Sequence, residues 1–143
     1  MANNRARYKA METHYKVLWS GNKCYYCGDK AETFDHIPAL SVTYSRGIDA
    51  LNRHKVRCWK VRCCTECNSI AGDKPHLFPQ TRAEYLYSKY LKRYRKVLEG
   101  HHWEEDELDE LGYSLKCYIL AHDNIQEWME RRMEYMEEMF LND

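Results

Sequence analysis

Between residues 24 and 68 the chain reads Cys24-Tyr25-Tyr26-Cys27, then Thr33-Phe34-Asp35-His36-Ile37-Pro38, then Cys64-Thr65-Glu66-Cys67-Asn68. A thiolate pair on a tight turn grips one edge of a tetrahedral ion, and two such pairs close all four positions of a structural zinc site. Cys24, Cys27, Cys64 and Cys67 are the expected zinc ligands. A closed site leaves no coordination position for a substrate, so chemistry must come from other residues. The candidates lie between and just after the cysteine pairs. The Asp35 carboxylate and the Asn68 carboxamide offer oxygen ligands suited to a hard cation such as Mg2+ or Mn2+. His36, next to Asp35, is a ready general base near neutral pH.

The order C-x2-C, D-H-I-P, C-x2-C-N resembles the HNH (His-Me finger, ββα-metal) endonucleases, and within them the zinc-stapled, endonuclease VII-like phage enzymes. The resemblance covers roughly residues 20 to 75. It implies an antiparallel β-hairpin followed by a helix around one catalytic metal, with Asp35 and Asn68 as its ligands and His36 as the base. Asn52 is the candidate for the family's middle Asn, which orients the histidine; His54 beside it competes for that role. The activity implied is metal-dependent hydrolysis of DNA phosphodiester bonds. The other reading is a zinc-finger-like adaptor without catalysis, phage-encoded on the same resemblance, that binds a host protein or nucleic acid.

At 143 residues the chain is the size of one domain. Seven cysteines, an odd number, fit a reducing compartment better than an oxidising one. No apolar leader or membrane-length run is present, so a cytoplasmic protein is expected, in the host cytoplasm if phage-encoded. The net charge of zero hides a polarity along the chain. Residues 1–100 hold 19 Lys and Arg against 9 Asp and Glu, and residues 101–143 hold 3 against 13. A basic body suits DNA, because binding releases counterions in proportion to the phosphates neutralised. Arg46, Arg53, Lys55, Arg57, Lys60 and Arg62 are the expected backbone contacts.

The fold expected is α+β: a zinc-stapled ββα-metal core over 21–76, an N-terminal basic helix over 1–20, and a mostly helical extension over 77–143. Strands are expected near 32–36 and 55–63, with a loop from 39 to 55 between them. Adjacent strand residues face opposite ways, so Asp35 and His36 can share a site only at a bulge or a strand end. Asn68 is expected to open the helix of the ββα unit. Thr81-Arg82-Ala83-Glu84 reads as a capping box for a basic helix over 81–99. Apolar periodicity predicts two acidic helices, 104–122 and 124–140, hinged at Asp123-Asn124. Such a hairpin offers its stripes to the basic helix, to a second copy of the chain, or to a protein partner.

Overall fold

The computed structural model describes residues 4–142. It is an α+β protein built on a three-stranded mixed sheet of order β1-β3-β2, comprising β1 (Lys16–Trp19), β2 (Thr33–Ile37) and β3 (Trp59–Cys63). Strands β2 and β3 run antiparallel in unbroken register, Thr33 opposite Cys63 and Ile37 opposite Trp59. Opposed residues share a face, so Asp35, Ile37, Val61 and Cys63 point into the core. Phe34, His36, Lys60 and Arg62 take the other face. The Lys60 and Arg62 cations lie 5.1 and 5.4 Å from the Phe34 ring centre. Asp35 and His36 thus point opposite ways with no bulge between them. The strand ends one residue after His36, at a cis Ile37-Pro38 peptide bond.

The N-terminal helix is shorter than expected. Helix α1 spans Asn4–Glu12, residues 1–3 lie outside the described residues, and 16–19 form β1 instead. Val17 and Trp19 are β-formers, and pairing parallel to β3 overrides the single helix expected over 1–20. The expected loop over 39–55 holds two short helices, α2 (Leu40–Arg46) and α3 (Ile48–Arg53). Neither is long enough for a periodic signal to stand out.

Helix α4 (Thr65–Ala71) follows β3 directly, and Cys64 is its N-cap. Asn68 therefore sits one turn inside the helix and does not open it. Helix α5 (Pro79–Arg93) starts with Pro79 in its first turn, not at a Thr81 capping box, and is followed by the single turn α6 (Arg95–Leu98). Proline there costs no hydrogen bond, since the first N–H groups of a helix have no intrahelical partner. Its buried series is Arg82, Ala83, Leu86 and Tyr90.

Among the described residues the chain does not turn at Asp123-Asn124, so the expected acidic hairpin does not form. A short α7 (Glu105–Asp109), closed by a Glu104/Glu107 capping box, leads into one continuous helix α8 (Tyr113–Met136), which ends in a π-helical turn at Glu137–Leu141. Asp and Asn inside a helix cost only a few tenths of a kcal/mol, up to about 0.7. Burial of Met129, Met133 and Met136 just beyond Asp123-Asn124 outweighs that cost. The core joins the cysteines, the inner sheet face, α4, α5 and the C-terminal half of α8 into one cluster.

Candidate active site and metal centre

The first C-x2-C turn is closed by Gly28 N–H donating to the Cys24 carbonyl at 3.0 Å, with Gly28 at φ +79°. Only glycine takes that conformation without strain. At the second pair, Cys67 N–H donates to Cys64 Sγ at 3.4 Å across the first turn of α4. The four sulfurs lie within 4.8 Å of one another, and Cys27 and Cys64 are 3.7 Å apart. A zinc tetrahedron with bonds of about 2.3 Å has edges of about 3.8 Å, so the cluster is the right size to hold the ion. Left to themselves the buried thiols ionise unequally. Hydrogen bonding inside the cluster pushes Cys24 up and draws Cys27 and Cys64 down, while burial pushes Cys67 up. A bound divalent cation favours all four thiolates together.

Two side chains from the helical extension close over the sulfurs. The Tyr90 hydroxyl of α5 lies 2.9 Å from Cys67 Sγ. Arg132 of α8, 3% exposed, is stacked 4.5 Å from both the Tyr90 and the Trp128 ring centres. Its Nη1 donates to Glu66 at 2.8 Å, and its Nη2 stands 4.0 Å from Cys64 Sγ.

Beside this centre lies a pocket of about 350 Å³. Asp35 and His36 at the end of edge strand β2, Asn68 on α4, and Tyr8, Ser41 and Asp73 line it. Three of the four residues expected in catalysis are thereby brought together. Asn52 is not: it lies exposed on α3 and lines a different pocket with His14, Lys16 and Arg57. The residue at the histidine is Glu12, from the end of α1. Glu12 Oε1 lies 3.2 Å from His36 Nε2 and 3.7 Å from Lys60 Nζ, and the Tyr15 ring meets the imidazole edge-on at 4.9 Å. The bond to His36 holds the Glu12 carboxyl below its ordinary value.

Asp35, 2% exposed, is gripped from below. Its Oδ2 accepts from the Tyr26 hydroxyl at 2.5 Å and from Arg82 Nε at 2.7 Å, and its Oδ1 accepts from Arg82 Nη2 at 2.8 Å. Arg82 is fully buried and also donates to the carbonyls of Gly72 and Lys74, tying the end of α4 to β2. Burial works against its charge, and the Asp35 bonds more than offset this, so its pKa is raised. Burial, and then Asp35, hold the Tyr26 hydroxyl neutral, well above its ordinary range.

The six expected phosphate contacts fall in two groups along the chain, four on and after α2 and α3 and two on β3. Arg46 and Arg53 flank a depression beside α2 and α3, Arg57 lies with Asn52, and Lys55 is exposed at positive φ. Lys60 and Arg62 flank Phe34 on the outer sheet face, near His36 and Glu12. The acidic run after Gly100 packs locally: His101 pairs with Glu107, His102 with Glu130, and Lys116 with Asp109.

Among the described residues no helix is long and apolar enough to cross a membrane. Compared with family models, with curated proteins and with solved structures, the chain matches none.

Proposed function

We propose that the protein is a metal-dependent endonuclease of the HNH kind, acting on DNA phosphodiester bonds. One observation carries the reading: Asp35, His36 and Asn68, three residues picked from the sequence for one chemistry, line a single pocket. The antiparallel β2–β3 pair followed by α4 and backed by the four cysteines supports it further. The donor set fits a hard cation. Asp35 Oδ1 accepts one hydrogen bond among the described residues and keeps a lone pair, and Asn68 offers a neutral oxygen.

Asp35 and Asn68 would hold Mg2+ or Mn2+, which when bound supplies Lewis-acid stabilisation of charge on the phosphate oxygens. His36 is the general base. With Nε2 donating to Glu12, Nδ1 is the nitrogen left to take a proton from the attacking water. Glu12 is a positioning residue, holding the ring and its tautomer as a carboxylate does in other histidine dyads. Arg82 and Tyr26 fix the carboxylate of Asp35. The exposed Arg46 of α2 and Arg53 of α3, with the half-buried Lys60 and Arg62 of β3, would meet the DNA backbone. The reducing cytoplasm suits seven cysteines that all stand as thiols.

One observation favours a second reading, a zinc-stabilised adaptor without catalysis: the charge of Asp35 is already matched by Arg82. Plasmid and branched-DNA cleavage with Mg2+ or Mn2+, beside His36→Ala and an EDTA control, separates the two. The nuclease reading requires metal-dependent cutting that His36→Ala abolishes while melting and DNA binding stay unchanged. A folded, zinc-loaded protein that cuts nothing belongs to the adaptor class.

A further inference from the structure

A second concavity, about 560 Å³, lies at the far end of α2 from the Asp35–His36–Asn68 pocket. The two share both walls. Leu40 and Ser41 at the start of α2 line the first, and Arg46 at its end lines the second. Gly72 and Asp73 line the first, and Leu77 and Phe78 of the same connecting segment line the second. At about 1.5 Å rise per residue, Arg46 stands about 8–9 Å along α2 from Leu40 and Ser41.

The lining of the second concavity is of two kinds. Leu51 and Val56 make a buried apolar floor, Phe78 stands beside it 52% exposed, and Arg46 and His54 form a polar rim that carries the Arg46 cation. A half-exposed phenylalanine over an apolar floor, edged by the Arg46 guanidinium, matches a flat aromatic ring joined to a phosphate. Arg46 on its rim, and the exposed Arg53, Lys55 and Arg57 that flank the lining residues His54 and Val56 in the chain, favour a polyanionic strand over an apolar peptide. We infer that this concavity seats an unpaired nucleobase of a DNA strand, stacked on Phe78, whose phosphate backbone runs along α2 into the Asp35–His36–Asn68 pocket.

A base inside a duplex has both faces covered by its neighbours and cannot enter, whereas an unpaired base has a free face. The substrate class is therefore DNA with a single-stranded or splayed nucleotide near the cut. This deepens the endonuclease reading and rests on it for the direction of the strand. Stacking on Phe78 is itself testable without cutting.

The test measures fluorescence anisotropy of a labelled oligonucleotide in Ca2+ buffer with full-length protein carrying His36→Ala. The oligonucleotide is presented as a single strand, as a duplex with one splayed end, and as a blunt duplex. Adding Phe78→Ala is expected to weaken the first two by about tenfold and leave the blunt duplex unchanged, while Phe78→Trp restores the affinity. Equal loss on all three, no loss, or no oligonucleotide binding by the folded protein overturns the inference, and the last result gives the concavity to a protein segment. Cutting that persists with Phe78 silent sinks this inference alone. Selective binding through Phe78 without cutting in the parallel cleavage assay sinks the nuclease reading alone.

Discussion

Arg82 is the residue whose removal the candidate site would tolerate least. It sits fully buried, neutralises Asp35 through two bonds, and holds the carbonyls of Gly72 and Lys74. Arg82→Met leaves a buried carboxylate without its partner, which costs roughly 3–5 kcal/mol. Urea denaturation is the check, and a loss below about 1 kcal/mol would show that Asp35 is solvated by other means. Glu12 makes a pH prediction. Its carboxyl is held below the ordinary value of 4.5 by the hydrogen bond to His36. A depressed carboxyl pKa means the stabilising contact is fully present above pH 4.5 and is lost as pH falls through the lowered value. The tether between α1 and His36 is thus expected to persist at neutral pH and release only in acid. A carboxyl-carbon NMR titration of Glu12 with a midpoint at or above 4.5 would contradict it. On the nuclease reading, Glu12→Gln lowers the cutting rate about 10- to 100-fold while leaving DNA affinity unchanged.

At the scale of elements, α8 and the cysteine cluster depend on each other. Arg132 reaches from α8 to Glu66 and Cys64, and Tyr135 packs against Gly28 of the first cysteine turn. A Cβ built on Gly28 would stand 2.8 Å from the Tyr135 ring, and the position already has φ +79°. Gly28→Ala is therefore expected to destabilise the protein by more than the roughly 1 kcal/mol of ordinary strain at positive φ, read from thermal melts. Arg132→Met removes the cation that faces the thiolates. Outer contacts of this type typically change metal retention 10- to 100-fold, which competition with a chromogenic chelator would show. Stripping the metal altogether is expected to melt the core cooperatively, because the cysteines sit in the same buried cluster as α4, α5 and α8. Retained helical circular dichroism after complete removal would mean that hydrophobic packing suffices alone.

The whole molecule combines a basic body with an acidic tail, and the fold keeps the two charges largely apart. Glu66 takes cations from α5 and α8, and Glu12 takes Lys60. Most other acidic groups after Gly100 pair within the tail or face solvent. DNA affinity is expected to fall steeply between low and moderate salt, in proportion to the phosphates met by the basic body. A flat salt dependence would remove the polyanion from consideration.

Local residue chemistry defines the cysteine cluster, the strand at Asp35–His36, the strand before Cys64 and the basic helix after Pro79. A C-x2-C pair or an alternating strand is defined by neighbours in the chain, so its physical cause lies within reach of a short window. Arg82 and Arg132 left a fainter mark: each is a charge inside an otherwise apolar helical series, 82–83–86–90 and 129–132–133–136. Glu12 left none, because its link to His36 spans 24 residues and follows from where β1 lays α1 against the sheet. Tertiary packing alone decided that Lys16–Trp19 is a strand, that α8 runs unbroken through Asp123-Asn124, and that Asn52 lies away from the histidine. Each of those outcomes turns on a local preference of under about 1 kcal/mol, smaller than the burial or pairing that overrides it.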